Sequence, residues 1–329
     1  MHYPNLDIEE ICFDSDHIEA VLSEIKTNFP QSFDRFLETE AGARVTKEDF
    51  ATADGLFRVA NIREAKKNID RGVRFTRIID EAIHEFESDR LSYQKILDLE
   101  ALEEYEDDPK NFKNSVLRHS CLIIRQTLQN REMKELDKYR AEFNNADPKE
   151  LLSVTKNLTK FAVQYLEGSY DEKTDDGFSN VEEMGLSALD EEEYSVYGVI
   201  GGGIKSHFIY KFNPSVFPNR SRQSIWALWY LTSKKTFNCK QDSEFLMLDI
   251  EKSRTQQNYF YPYGLFGFYA HKIYLLLKIE AEKSNVVINQ CYRYVIVDSF
   301  LSFVANEHLE EIEELSRVSS DEDYKGYGS

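Results

Sequence analysis

The residues best suited to chemistry stand in one stretch, Val199 to Leu231, which reads VIGGGIKSHFIYKFNPSVFPNRSRQSIWALWYL. Gly201, Gly202 and Gly203 open it, Lys205, Ser206 and His207 follow, and the run breaks at Asn213-Pro214. A second turn at Phe217-Pro218-Asn219 precedes Arg220 and Arg222. Glycine lets the backbone approach a ligand closely. A helix that begins directly after such a turn offers unpaired amide hydrogens to an anion. These residue types therefore point to a phosphate-binding turn, with Lys205 just inside the following helix to add positive charge.

The glycines are adjacent, so the stretch is not the G-x-x-x-x-G-K-[ST] loop, and it lacks the G-x-G-x-x-G fingerprint of dinucleotide sites. It resembles the hairpin of helix-hairpin-helix DNA glycosylases. There an apolar residue precedes G-x-G and a lysine opens the second helix, as Val199 or Ile200, Gly201, Gly203 and Lys205 do here. A Pro-containing loop and a further helix follow in the family, and NPSVFPNRSRQSIWALWYL stands at the corresponding place. The resemblance covers about a tenth of the chain. It implies a mainly α fold: an acidic helical region at 1–150, a glycosylase-like core at 151–306, and an acidic tail at 307–329. It further implies duplex DNA as partner and excision of a damaged or modified base. Gly201, Gly202, Gly203, Ser206, His207, Arg220 and Arg222 would then face the phosphates, and Lys205 would attack the sugar C1′ as an amine, with no cofactor. Such an attack needs a neutral lysine, hence a desolvated one or one beside another cation.

One departure concerns the catalytic carboxylate. Asn219 stands where the family has Asp, and an amide carries no negative charge to match a cationic sugar. The 14 residues from Lys205 to Asn219 are also few against the family pattern. Asp242 and Asp249 are the nearest downstream aspartates to take its place. Without one of them the hairpin becomes a non-catalytic DNA-binding or regulatory element, or a junction in a helical protein-interaction module. Phe208, Tyr210, Trp226 and Trp229 suit either stacking around an extruded base or the core face of helices.

Other constellations are weaker. Asp242, Glu244, Asp249, Glu251 and Lys252 run in an order similar to the carboxylate–lysine sites of metal-dependent nucleases, but Glu251 and Lys252 are adjacent. Asp171, Asp175 and Asp176 lack the spacing of a calcium loop. His119 lies among apolar residues and reads as a core histidine, and His271 sits in an aromatic run. Cys12, Cys121, Cys239 and Cys291 are far apart without a CxxC pair, so they read as buried thiols rather than metal ligands.

The formal net charge of −19 argues against a nucleic-acid partner, yet its distribution is uneven. Residues 196–306 hold 13 Lys and Arg against 7 Asp and Glu, while 307–329 hold 2 against 8 and 1–195 hold 25 against 44. A basic segment thus lies inside an acidic chain, whose N-terminal region suits a protein partner. No apolar run is long enough for a membrane span, and the acidic start MHYPNLDIEEICFDSD lacks the order of a signal peptide, which points to a cytoplasmic protein.

The elements that must position these residues are helical. Residues 1–40 read as helices broken at Pro30, and 60–105 place apolar residues at threes and fours. Ala146-Asp-Pro starts another helix, 169–190 reads as a polar mobile loop or a junction, and Pro262–Lys283 as an aromatic core helix. EFLMLDI fits a strand or a helical turn, and CYRYVIVDSFLSFVAN an extended run passing into a helix.

Overall fold

The computed structural model describes residues 8–46, 69–131, 136–169, 177–240, 243–249 and 254–317. A 3₁₀ turn, Glu10–Phe13, leads into α1 (Ser15–Phe36). The expected break at Pro30 does not occur: α1 runs through it. Its aromatic face supplies the reason, since Phe33 packs 5.0 Å from Phe75, and Phe29 and Phe36 lie 5.2 and 5.5 Å from Phe300. That burial outweighs the hydrogen bond that proline removes.

Asp70 caps α2 (Arg71–Ile96) by accepting from the Gly72 and Val73 amides, and Asp98 caps α3 (Leu99–Glu104). A short turn at Pro109–Asn111 passes into a π-helical stretch, Phe112–Ser120, then α4 (Leu122–Gln129) and α5 (Asp137–Asn145). His119 is exposed at the end of that π-helical stretch, contrary to the core role expected of it. Asp147 and Pro148 start α6 (Pro148–Gln164), as their order suggests.

Of the expected mobile loop or junction at 169–190, the described part serves as a junction: 3₁₀ turns form at Glu182–Met184 and Leu186–Asp190, followed by Glu192–Tyr194, with Val181, Met184, Leu186 and Leu189 buried. Asp171, Asp175 and Asp176 lie outside the described residues. Next come α7 (Gly202–Phe212) and α8 (Arg222–Leu231), the latter opened by a Ser221–Ser224 capping box. The ambiguous apolar piece is a strand: β1 (Leu246–Asp249) pairs antiparallel with β2 (Arg254–Gln257), Leu246 opposite Gln257. The chain continues through α9 (Tyr263–Lys283), α10 (Arg293–Asn306) and α11 (Leu309–Ser316). The Leu186–Asp190 turn packs on α9 because Gly264 lets it: a Cβ there would stand 2.9 Å from the Ser187 Cα.

The extended start expected for α10 is helical. Val295, Ile296 and Val297 are buried against α8 and α9, and this packing overrides their β-branched preference. α1 packs on α8, α9 and α10, so the first long helix sits in the C-terminal half. Among the described residues one apolar cluster runs from Cys12 to Ile312. The fold is mainly α. No helix among the described residues is long and apolar enough to cross a membrane.

Candidate metal centre

The glycine turn and the site that the structure favours lie in different places. Before the glycines, Val196 and Ile200 exchange backbone hydrogen bonds of 3.0 and 2.9 Å around Gly198, whose φ is 71°. The preceding elements are 3₁₀ turns, so α7 stands without the antiparallel α-helical mate that the resemblance implies. Lys205 is 4% exposed and its Nζ donates to the Leu189 carbonyl. Arg220 is 3% exposed; its guanidinium donates to the Asn258 carbonyl at 2.7 Å, and burial lowers its pKa to about 10. Burial also lowers the pKa of Lys205, opposed by the nearby charge of Asp190.

Asp190 caps α9, accepting from the amides of Tyr263 (2.7 Å) and Gly264 (3.1 Å). Burial raises its pKa, while those bonds and the charges of Lys205 and Arg220 pull it down. The carboxylates at this turn are thus Asp190 and Asp298. Asp242 lies outside the described residues, and Asp249 ends β1 opposite Arg254. Asn219 donates to Asp298 at 3.1 Å, and burial pushes the Asp298 carboxyl up to about 6. Burial lowers the pKa of neighbouring His207 to about 3, which keeps it neutral. Ser206 is buried and holds the Arg220 backbone, and Arg222 donates to Ser316 at 3.1 Å. Trp226, Phe208 and Tyr210 are core residues.

The cations nearest the glycine turn are therefore internal. Lys205, Lys211, Arg220 and Arg293 are all buried, and Lys211 meets Asp89 of α2 at 2.5 Å. Charge counted along the chain said nothing about which side chains fold inward.

The two glycines that follow Gly201 separate cleanly. A Cβ on Gly202 would overlap the buried Arg220 guanidinium, which has no room to swing, whereas one on Gly203 meets only the Arg220 carbonyl at 3.9 Å. Gly202→Ala is expected to destabilise the protein by about 1–3 kcal/mol. Gly203→Ala, inside α7, should be neutral or stabilising by about 0.5–1 kcal/mol. Urea unfolding of both variants checks the contrast, and equal midpoints would refute it.

A different constellation has the geometry of a site. Cys12 belongs to the first 3₁₀ turn, His17 to the first turn of α1, and Cys239 to the loop after α8. One ligand atom from each lies within 4.8 Å of the others, a grouping of donors that no other described residues make. The Cys12 and Cys239 sulfurs are 3.7 Å apart. His17 Nε2 is held by the Glu244 carboxylate at 3.0 Å, and Glu244 in turn accepts from the Tyr261 hydroxyl at 2.9 Å. The other ring nitrogen, Nδ1, is buried without a well-formed hydrogen bond, although the Phe237 backbone stands close enough to favour its protonation. A cavity of about 10 Å³ adjoins the two sulfurs and is lined also by Glu9 and Ser243.

The electrostatics divide the two sulfurs, since burial and the charges of Glu9 and Glu244 oppose a thiolate at both. A Cys12–Cys239 hydrogen bond pushes Cys12 far above an ordinary thiol and Cys239 below it, so thiolate character collects on Cys239. Burial opposes a charge on His17, but the Glu244 hydrogen bond and carboxylate outweigh it and leave its pKa raised. The loop that delivers Cys239 is strained. Ser233, Lys234, Phe237 and Asn238 have φ of 53°, 61°, 49° and 67°, a left-handed region costly for non-glycine residues. Neighbours fix that loop: Asn28 donates to the Leu231 carbonyl and to Ser233 Oγ, both at 2.9 Å, and Lys235 pairs with Glu24 at 2.5 Å.

No protein-family model matches the chain, and neither curated proteins nor solved structures provide a match. Sequence spacing carried no sign of the Cys12–His17–Cys239 grouping, because 227 residues separate the two cysteines. The one legible hint was Cys12 followed five residues later by a histidine, within reach of one helix start.

Proposed function

We propose that this chain binds a thiophilic divalent metal ion, of which zinc is the best fit, through Cys12 Sγ, Cys239 Sγ and His17 Nδ1. The sulfur–sulfur distance carries the reading. A tetrahedral ion with metal–sulfur bonds of about 2.3 Å sets two sulfurs about 3.8 Å apart, and the two thiols stand at 3.7 Å. The Glu244–His17 hydrogen bond is the carboxylate–imidazole support that metal-bound histidines ordinarily have. Glu9 lines the adjoining cavity, and its charge acts on both thiols. The ion would join the first turns of the chain to the loop ahead of the β-hairpin, a structural role. The reading is preferred to DNA binding because Lys205 and Arg220, the cations that a DNA role needs, are buried and already engaged.

The lowered pKa of Cys239 favours one second reading, a cysteine nucleophile with His17 and Glu244 behind it. The same experiment separates the two. The full chain, loaded with Zn²⁺ and desalted, is expected to retain about one equivalent by elemental analysis, and Cys12→Ser and Cys239→Ser should retain almost none. Co²⁺ in its place should give thiolate-to-metal charge-transfer absorption that both variants lose. A folded protein that retains no metal, and whose Cys239 is alkylated by iodoacetamide at a rate indifferent to Zn²⁺, would establish the nucleophile instead.

A further inference from the structure

A cavity of about 500 Å³ lies far along the chain from Cys12 and Cys239, between the C-terminal end of α2, α3, the π-helical stretch and α4. Its volume falls in the range of small-molecule sites. Its accessible apolar lining is Ala101, Tyr105 and Val116, while Leu102 and Phe112 are buried. It also carries Lys95, His119 and Arg125, and no Asp or Glu lines the space. In a chain of net charge −19 such a lining is unusual.

Two of these cations keep free donors, unlike Lys211, held by Asp89, Lys234, held by Glu311, and Arg71, held by Asp34 and Glu280. Among the described residues Lys95 makes no ion pair or hydrogen bond, and it is exposed at the cavity rim. Arg125 is half-buried and donates through one nitrogen to the His119 carbonyl at 3.1 Å, which fixes the guanidinium and leaves its other donors without a protein acceptor among these residues. The wall between Phe112 and Ser120 is π-helical, a wider winding found mostly at functional sites.

We propose that this cavity binds a small aromatic acid, its ring against Tyr105 and Val116 and its anionic group against Arg125 and Lys95. A planar guanidinium suits a carboxylate or sulfonate by paired hydrogen bonds, and the apolar wall takes the ring out of water. A neutral aromatic of the same size gains only the second contribution. Metal binding at Cys12 and Cys239 plays no part in it.

Isothermal titration of the full chain with 1-naphthalenesulfonate, and with 1-naphthol as the neutral counterpart, tests the assignment. One equivalent of the sulfonate is expected to bind, at least about tenfold more tightly than the naphthol. Arg125→Gln combined with Lys95→Gln should remove that preference while leaving naphthol binding in place. Ala101→Phe, which fills the cavity from α3, should abolish binding of both. Thermal melts of the variants show that they are folded, and Lys95→Glu alone, changed at the exposed rim, gives the charge readout if the double variant fails to fold. Equal affinities for sulfonate and naphthol, or sulfonate binding unchanged in Lys95→Glu and in Ala101→Phe, would overturn the proposal.

Discussion

Replacing Asp190 by alanine is expected to cost the fold about 3–5 kcal/mol, among the largest effects of any single substitution in this chain. Two losses combine. The first residues of α9 lose the acceptor for the Tyr263 and Gly264 amides. Lys205 and Arg220, both buried, lose the carboxylate whose charge offsets theirs. Removing one partner of a buried charge cluster leaves the others uncompensated, which costs far more than the cluster contributes as a whole.

The pH dependence gives a sharper check than the midpoint alone. Burial already lowers the pKa of Lys205 below its ordinary 10.5, and without Asp190 it falls further. Between the lowered folded value and 10.5 the unfolded chain binds more protons than the folded one, so stability rises with pH across that window. The deficit of Asp190→Ala should therefore shrink as pH is raised from 7 toward 10. It should shrink at neutral pH as well when Lys205→Met is added, because the methionine fills the same space without charge. Denaturant unfolding across pH measures both, and a deficit constant from pH 7 to 10 would show that only the helix cap was lost.

Periodicity and capping residues made the helical architecture readable, and the exceptions share one physical origin. α1 crosses Pro30 because Phe29, Phe33 and Phe36 are buried together, and α10 is helical through Val295, Ile296 and Val297 because α8 and α9 cover them. In both cases long-range packing overrode a local preference. The turn-rich segment ahead of the glycines was legible as polar, yet Val181, Met184, Leu186 and Leu189 seat it on the core.

Function was less legible for the same reason. The glycines and Lys205 form a recognisable string, but their surroundings come from afar: Asp190 from one side, Arg220 and Asn258 from the other. Asn219 drew attention for not being a carboxylate, while its actual carboxylate partner, Asp298, stands 79 positions along the chain. The donors Cys12, His17 and Cys239 meet only in the folded protein.

Removing metal from the holoprotein should produce the second large effect. Excess chelator is expected to lower the melting temperature by roughly 10 °C, since free metal at about a thousand times Kd stabilises a folded protein by about 4 kcal/mol. Cys12→Ser should melt near the chelated native protein and respond little to either chelator or Zn²⁺. Binding must also release protons. Cys12 is held protonated by its bond to Cys239, and Glu244 favours the imidazolium of His17, so both surrender a proton as the ion enters. Titration calorimetry in buffers of different ionisation enthalpy should show net proton release on binding. Acidification below the raised pKa of His17 should weaken binding steeply. Glu244→Gln removes the carboxylate without touching a ligand, and it should cost about 10–100-fold in metal affinity while lowering the number of protons released. If the melting temperature of the native protein ignores chelator while that of Cys12→Ser falls anyway, the cysteine is a packing residue and the metal reading fails.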